Sequence, residues 1–342
     1  QLKPILKKMD RKHFFIIQSF FSSTVFNIEK NTPLADTTCY HPFDFPWSAW
    51  RFFKRMNIQY YITSRNDIWP SHLYIANRMK IHSALINANL YRKSHYESYL
   101  LRSFYKKVFS QFDLILTGSD RLKKNLMNLV SENKIYITGD SRLDRVLERK
   151  EYEKSDLLPS SFDESRNIIF GSIDTLDYPV LFSGIKKIYP NGQKDLEGKD
   201  HRLIIVPHEI DTRIIKKIQD YLKQLGFDAT CYTEKEKLEN NRVLIIDVVG
   251  ILADLYYYSD LAYIGAGFSA GVHSVLEPAI YANAISFGPK FHIVDMAVSL
   301  SDLRLAMVIH SGEDLSVFLN LLEDRKKLDE IRQNMQNYIS NQ

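Results

Sequence analysis

The sequence has 342 residues, 45% apolar and 25% charged, which predicts about two globular domains and excludes a disordered chain. Its net charge of +4 suits an anionic ligand or membrane surface and is too small to indicate nucleic-acid binding. The only two cysteines, Cys39 and Cys231, are far apart, which excludes a disulfide framework and a zinc-finger spacing and favours a reducing, cytoplasmic compartment. No apolar run approaches the roughly 18 residues that would predict a membrane span.

Short apolar segments alternate with amphipathic helical segments along the whole chain. The predicted strands cover residues 13–19, 58–63, 82–87, 113–118, 134–138, 167–172, 202–207, 242–247, 261–266 and 284–289. This alternation is typical of βαβ units and parallel sheets. Most of these strands are apolar throughout, as expected when helices cover both faces of a sheet. The sequence therefore predicts two Rossmann-like α/β domains, with ligands bound in a cleft at the carboxyl ends of the strands.

Charge and helix patterns suggest where these domains begin and end. We predict an N-terminal domain over residues 1–148, a charged linker over 149–166 and a C-terminal domain over 167–323. Residues 324–342 are predicted to form a helix that could cross back onto the first domain. The opening QLKPILKKM begins in the middle of a helical pattern, so we expect further residues upstream.

The segment GAGFSAGVHSVLEPA (265–279) follows a predicted strand and holds three glycines within seven residues. Glycine allows a sharp turn or a close approach of the backbone to a ligand. We predict a helix over roughly 272–282 whose N-terminus binds a phosphate, assisted by Gly267 and Gly271. The alternative is a tight strand-to-helix turn without a ligand. Glu277 is placed to accept hydrogen bonds from ribose hydroxyls, or is an ordinary solvated helix residue.

Polar residues follow most of the other predicted strands as well. In the second half, they are Ser172, His208, Glu209 and Gly250. In the first half, they are Asp67, Asn87, Arg92, Ser119 and Arg142. Ser119 or Asp120 is also expected to cap a helix, and Pro70 to begin one. None of these residues is specific alone, but together they predict a polar edge on both sheets.

Basic and aromatic residues are interleaved over residues 92–107, which include Arg102, Lys106 and Lys107. The pattern predicts an amphipathic helix. Such a helix either lies on an anionic membrane or is a surface helix that packs its aromatic stripe inward. The sequence leaves both interpretations open.

Several segments, in this order, resemble the 3-deoxy-D-manno-octulosonic acid (Kdo) transferase family. NDIWPSHL (66–73) is similar to the family's Glu-Leu-Trp-Pro-Asn segment, with Asp67 in place of Glu. Further similarities lie in INANLYRKS, ITGDSRLD and IIFGS. The most specific is GVHSVLEPA followed by FGP (287–289), which resembles Gly-Gly-His-Asn-x-Leu-Glu-Pro-Ala followed by Phe-Gly-Pro.

The resemblance implies a GT-B glycosyltransferase that moves Kdo from CMP-Kdo onto a lipid A precursor, inverting the anomeric centre without a metal or other cofactor. It implies a peripheral enzyme at the cytoplasmic face of the inner membrane. The donor would be bound by Gly271, His273, Ser274 and Glu277, with Ser172 and Gly250 nearby and with His208 or Glu209 at the family's Val-Pro-Arg-His site.

The sequence also departs from the family. VPHEI (206–210) has no arginine at the Val-Pro-Arg-His site, and Ser274 replaces the usual asparagine. The family's general base, a glutamate, would fall just before Gln1. Two alternatives therefore stay open: another GT-B nucleotide-sugar transferase, and a non-catalytic protein that binds a nucleotide sugar.

Overall fold

The computed structural model describes residues 2–91, 101–151 and 156–341, and the chain divides into two units, residues 1–145 and 146–342. The division lies three residues before the predicted domain end at 148. Part of the predicted linker belongs to the second unit's core, because Leu158 and Phe162 are buried in it.

The helices of the first unit alternate with its strands. Its helices are α1 (Lys3–Lys8), α2 (Ser23–Glu29), α3 (Pro46–Met56), α4 (Pro70–Arg78), α5 (Arg102–Phe109), α6 (Asp120–Leu126) and α7 (Ser141–Glu151), the last of which runs into the second unit. Its strands are β1 (Ile17–Phe20), β2 (Thr37–Tyr40), β3 (Tyr60–Ser64), β4 (His82–Ala88), β5 (Leu114–Thr117) and β6 (Ile135–Ile137). The predicted start of α4 at Pro70 and the predicted Ser119 cap of α6 are confirmed.

These six strands form two parallel sheets rather than one. β1 pairs with β2, and β3-β4-β5-β6 form a four-stranded sheet in sequence order. The core lies between the larger sheet and its helices, where Phe53 of α3, Leu73 of α4, Leu85 of β4 and Phe109 of α5 are 1% exposed or less.

The second unit has more strands in a single sheet. Its helices are α8 (Ser161–Glu164), α9 (Tyr178–Ile188), α10 (Gln193–Lys199), α11 (Thr212–Gln224), α12 (Leu252–Leu255), α13 (Leu276–Ile280), α14 (Asp295–Asp302), α15 (Gly312–Leu319) and α16 (Arg325–Ser340). Its strands are β7 (Arg166–Ile173), β8 (His201–Pro207), β9 (Ala229–Cys231), β10 (Val243–Ile245), β11 (Leu261–Ile264), β12 (Ala284–Phe287) and β13 (Ala306–Val308).

All seven strands are parallel and follow the order β13-β12-β11-β7-β8-β10-β9. The strand order reverses between β7 and β11, where the chain stops adding strands on one side and begins on the other. Separate apolar cores cover the two faces, one containing Phe170, Leu203 and Tyr263 and the other Ile169, Ile204 and Ile264. This explains why β7, β8 and β11 are apolar without alternation.

Three strands escape sequence prediction. β9 and β13 are the two edges of the large sheet, and β2 belongs to the two-stranded sheet. Each has three or four residues and is only partly buried. An edge strand packs less apolar surface and therefore leaves a weaker sequence pattern.

The C-terminal helix α16 packs within the second unit. Leu328 and Met335 are buried in its two cores, and Arg332 forms an ion pair with Asp260. Across the described ranges, no helix is both long and apolar enough to cross a membrane.

Candidate functional site

The reversal of strand order in the second unit marks the crevice at which parallel α/β sheets bind ligands. Ile264, the last residue of β11, is in register with Gly171 of β7. Ser172 therefore lies at the end of β7 on one side of the reversal, with Asp174 to Asp177 directly after it, and the glycine segment 265–271 follows β11 on the other side. His208 follows β8, the next strand along the sheet.

Two glycines of this segment allow backbone segments to pack against each other. A Cβ on Gly265 would lie 2.2 Å from the carbonyl oxygen of Ser172, and one on Gly267 would lie 2.5 Å from the nitrogen of Gly288. Gly271 has φ +122°, in the region that favours glycine. Backbone packing and one special turn thus account for all three glycines.

The predicted helix start at Val272 is wrong. The helix α13 begins at Leu276 and has five residues. The N–H of Val272 donates to the carbonyl of Lys290 at 2.9 Å, and the N–H of His273 donates to that of Gly265 at 3.3 Å. The helix-like spacing of apolar residues had another cause, since Val272 and Val275 are buried from a loop rather than from a helix.

Three predicted donor-site residues meet beside the reversal. The Ser172 hydroxyl lies 2.9 Å from Nδ1 of His208. The imidazole of His208 stacks on that of His273, with ring centroids 4.5 Å apart and planes 19° apart. Ser172 has φ +56°, which directs the chain sharply at the end of β7.

The surroundings of His273 favour its uncharged imidazole. Burial, and then the neighbouring His208, lower the pKa of its imidazole. Its Nε2 is buried and has no hydrogen-bond partner among the described residues. A buried polar atom without a partner is uncommon in native proteins, so this nitrogen is a ready contact for a ligand.

The remaining predicted donor-site residues lie on or near other segments of the second unit. Glu277 is half-buried on α13, and the pKa of the Tyr256 hydroxyl is raised by burial and then by Glu277. Ser274 is exposed, and its hydroxyl accepts a hydrogen bond from the N–H of Leu276 at 3.4 Å. Glu209 is exposed, and Gly250, also exposed, has φ +92°. The binding roles of all these residues stay predictions.

Sequence reasoning missed the acidic residues that organise this edge. Asp177 is fully buried and accepts hydrogen bonds from the Tyr263 hydroxyl at 2.8 Å and from the N–H of Ala266 at 2.9 Å. Asp174 accepts a hydrogen bond from the Ser269 hydroxyl. Sequence reasoning also missed Tyr256. Its hydroxyl packs against Gly171 of β7, where an added Cβ would lie 2.3 Å from it. The available signal was the pair of aspartates in SIDTLD, directly after β7.

In the first unit, Asn87 and Arg142 come from different segments of one sheet edge. Asn87 has φ +51°; its Nδ2 donates to Ser141 Oγ at 2.7 Å, and its Oδ1 accepts from the Ser141 N–H at 3.2 Å. Arg142 binds Asp140 through Nε at 2.9 Å and Nη2 at 2.6 Å.

Arg65 also carries a guanidinium group in this unit. Its pKa is lowered by burial and then by the positive charge of Arg142. Partial burial raises the pKa of Asp67. Ser119 is committed to its helix, since its hydroxyl accepts from the N–H of Leu122 at 3.3 Å. Arg92 lies outside the described residues, as do residues 93–100 of the predicted amphipathic segment.

Among the residues with described positions, no three His, Cys, Asp or Glu side chains are grouped to hold a metal ion.

Comparison with protein families connects this architecture to known sequences. Residues 1–145 match the family model described as 3-deoxy-D-manno-octulosonic-acid transferase (kdotransferase). A 3-deoxy-D-manno-octulosonic acid transferase of Chlamydia muridarum is 26% identical over 344 residues, covering 95% of this chain and 76% of the relative. A 3-deoxy-D-manno-octulosonic acid transferase of Aquifex aeolicus is 27% identical over 301 residues, covering 85% of this chain and 73% of that relative. The chain spans 61% of the length of two relatives from Chlamydia trachomatis.

Solved structures show the same fold at low identity. A UDP-N-acetylglucosamine 2-epimerase has a TM-score of 0.64 at 12% identity, covering 97% of this chain and 85% of that one. The UDP-GlcNAc 2-epimerase of Methanocaldococcus jannaschii has a TM-score of 0.61 at 16% identity, covering 95% and 89%. The predicted fold, two Rossmann-like α/β domains of the GT-B class with parallel sheets, is confirmed.

Proposed function

We propose that the chain is a member of the 3-deoxy-D-manno-octulosonic-acid transferase family and that it transfers Kdo from CMP-Kdo to a lipid A precursor in lipopolysaccharide synthesis. The observation that carries the proposal is the family match over residues 1–145. The Chlamydia muridarum relative aligns over 95% of the chain, so the sequence similarity also includes the second unit. No resident cofactor or metal is part of the proposal.

The donor site is proposed to lie on the second unit, at the reversal of strand order. His208 and His273 present two stacked imidazoles there, and Ser172 presents a hydroxyl bonded to one of them. These groups suit the phosphate of CMP, whose negative charge grows as its bond to the sugar breaks. The carboxylate of Glu277 suits ribose hydroxyls, which donate hydrogen bonds to it.

The reaction itself is a displacement at the anomeric carbon. A base removes the proton of an acceptor hydroxyl, and that oxygen forms the new bond. The bond between the anomeric carbon and the phosphate breaks, and CMP leaves with the electron pair. The resemblance assigns the base to a glutamate that would precede Gln1, and this assignment is part of the proposal. A positioned base typically contributes about 10²–10⁴-fold in rate.

The acceptor is proposed to bind the first unit, where Arg65 and Arg142 each carry a guanidinium group. Guanidinium groups favour the phosphates of a lipid A precursor. Asp67 follows β3 and Asn87 lies near the end of β4, and both are proposed to offer hydrogen bonds to sugar hydroxyls.

Peripheral binding to an anionic inner-membrane surface is also proposed, on the strength of exposed aromatic residues in the first unit. Phe15 is 73% exposed, Phe43 68% and Trp47 62%. Trp47 stacks on Phe45 with ring centroids 4.8 Å apart, and Lys54 lies over Trp50. Aromatic rings beside basic side chains are typical of protein surfaces at a membrane interface.

Nucleotide preference tests the donor half of the proposal. We expect CMP to raise the melting temperature of the chain measurably and UDP at equal concentration to raise it much less, because a ligand stabilises only the protein that binds it. His273→Ala tests the site. It should abolish most of the rise in melting temperature that CMP causes while leaving the ligand-free melting temperature nearly unchanged. Equal stabilisation by UDP would instead favour a UDP-sugar transferase.

A further inference from the structure

Two aspartates link the loop after β7 to the glycine segment after β11, and no predicted site includes them. Asp177 is buried with 0% exposure at the start of α9. Its Oδ1 accepts from the Tyr263 hydroxyl at 2.8 Å, and its Oδ2 accepts from the N–H groups of Ala266 and Asp174, each at 2.9 Å. A buried carboxylate is costly unless its lone pairs are satisfied, and three donors satisfy this one.

Asp174 extends this network to the far end of the glycine segment. Its Oδ1 accepts from the N–H of Leu176 at 2.9 Å, and its other oxygen accepts from the Ser269 hydroxyl. Ser269 in turn lies 3.2 Å from the carbonyl of Ala266. The two carboxylates therefore hold both Ala266 and Ser269, the two ends of one turn.

The turn that they hold is conformationally unfavourable by itself. Ala266 has φ +66°, a left-handed conformation that costs a non-glycine residue about 1 kcal/mol or more. The N–H of Gly271 donates to the carbonyl of Ala266, and the N–H of His273 donates to that of Gly265. Any change in the conformation of Ala266 would therefore be passed to His273, whose Nε2 has no hydrogen-bond partner among the described residues.

We propose that Asp177, together with Asp174, is a positioning residue that fixes the glycine segment in the shape that places His273 for donor binding. The inference rests on the proposed function for the identity of the donor. It assigns Asp177 no contact with the substrate, because the carboxylate is fully buried and accepts its hydrogen bonds from Asp174, Tyr263 and Ala266 of the chain itself.

Two substitutions separate geometry from charge. Asp177→Ala removes every acceptor and leaves the Ala266 N–H and Tyr263 hydroxyl without partners. Asp177→Asn keeps the geometry, because its amide oxygen can accept from Ala266 and Asp174 while its NH₂ donates to the Tyr263 hydroxyl. A positioning role therefore predicts loss in Asp177→Ala and rescue in Asp177→Asn.

Asn167→Ala is the matched control. Asn167 is also fully buried and lies at the opposite end of β7, where its Nδ2 donates to the carbonyls of Phe162 and Tyr258. Losing its hydrogen bonds should lower stability without touching the glycine segment. If Asp177→Ala does not fold, Ser269→Ala breaks only the outer link to Asp174 and takes its place.

The first readout needs no ligand. Hydrogen exchange followed by mass spectrometry on the free protein should show faster exchange over residues 265–273 in Asp177→Ala and nearly unchanged exchange there in Asp177→Asn and Asn167→Ala. Unchanged exchange over this segment in Asp177→Ala would overturn the proposal.

The second readout is calorimetric titration with CMP, at a temperature where every variant is folded. Asp177→Ala should bind CMP at least about tenfold more weakly, the scale set by leaving buried partners unpaired. Asp177→Asn and Asn167→Ala should bind within about twofold of the unmodified chain. Equal affinity of Asp177→Ala and the unmodified chain, or an equal loss in Asp177→Asn, contradicts the positioning role. If the unmodified chain binds no CMP, the proposed donor fails by itself, and hydrogen exchange alone decides on the positioning role.

Discussion

The two units share one architecture of parallel strands and helices but differ in how much apolar surface they leave exposed. Of the described residues, 18 exposed large apolar side chains lie in the first unit and seven in the second, although the second is longer. The second unit buries both faces of a seven-stranded sheet. The first divides its strands between two sheets and leaves aromatic residues from Phe14 to Trp50 in contact with water.

The difference fits the proposal that the second unit binds the donor and the first unit binds the acceptor. A closed core with Ser172, His208 and His273 gathered beside the reversal of strand order suits a small, charged donor. An open aromatic surface with cations suits a lipid-linked acceptor, since large exposed apolar patches usually mark interaction sites. Fold alone would not separate these roles, because both units are α/β with parallel sheets.

The largest effect is expected where the second unit is most tightly packed. Gly265→Ala places a methyl group 2.2 Å from the carbonyl oxygen of Ser172, so the backbone must shift. We expect a loss of about 3 kcal/mol in unfolding free energy. Denaturant unfolding measures this loss. Gly198→Ala is the matched control, because nothing lies within 4 Å of its added Cβ on α10, and it should be neutral or slightly stabilising. Equal behaviour of the two variants would refute the packing account of Gly265.

The second unit should also lose stability in acid through a buried histidine. Burial lowers the pKa of His201 to about 4, from an unfolded value of 6.5. The contribution of neutral His201 to the unfolding free energy is fully present above pH 6.5 and is lost as the pH falls towards 4. In that range His201 binds a proton in the unfolded chain but not in the folded chain. The loss approaches about 3 kcal/mol by pH 4.

His201→Gln removes this titration and should flatten the decline between pH 6.5 and 4. Urea unfolding at several pH values across that range, followed by far-ultraviolet circular dichroism, measures the unfolding free energy of both proteins. His13→Gln is the control, since His13 is exposed on the first unit, and its curve should follow that of the unmodified chain. A decline as steep in His201→Gln as in the unmodified chain would exclude His201 as its source.

The first unit can be tested at its proposed membrane surface. Reversing the charges of Arg102, Lys106 and Lys107 on α5 should weaken binding to vesicles of anionic phospholipid by at least about tenfold at low salt, since each basic residue near such a surface contributes about 1 kcal/mol. Co-sedimentation measures the change. The matched control reverses Arg325, Lys326 and Lys327, three exposed residues of α16 in the second unit. Equal losses from both reversals would show that net charge, and not the first unit, binds the membrane.

The smallest effect concerns a single helix cap in the first unit. Ser119→Ala removes the hydroxyl that accepts from the N–H of Leu122 and should cost about 1 kcal/mol of unfolding free energy. Ser119→Asp keeps an acceptor at the cap and should restore most of it. Thermal unfolding compares the two, and equal melting temperatures would show that this cap contributes nothing.

The sequence predicts central strands well and boundaries poorly, for physical reasons. β7, β8 and β11 are buried on both faces and therefore carry long apolar runs. The edge strands β9 and β13 do not, and they were missed. The site shows the same contrast. Ser172 and His208 were predicted because polar residues at the ends of apolar strands stand out, and His273 was predicted from the family resemblance of GVHSVLEPA.

Tertiary contacts that no local pattern encodes account for the rest. The helix start at Val272 was wrong because Val272 and His273 bond to Lys290 and Gly265, distant groups that outweigh the local helical pattern. Asp177 was missed because its partners, Tyr263 and Ala266, lie almost 90 residues away in the chain. Arg142, in contrast, pairs with Asp140 only two residues away.

The most direct test of the account is sugar transfer itself. The protein, in a form that includes the glutamate proposed to precede Gln1, is incubated with CMP-Kdo and a lipid A precursor, and the products are separated by mass. The account predicts release of CMP and a precursor heavier by one or more Kdo units, both strongly reduced in His273→Ala. Transfer from a UDP-sugar instead, or no transfer from CMP-Kdo by a folded protein that binds CMP, would contradict it.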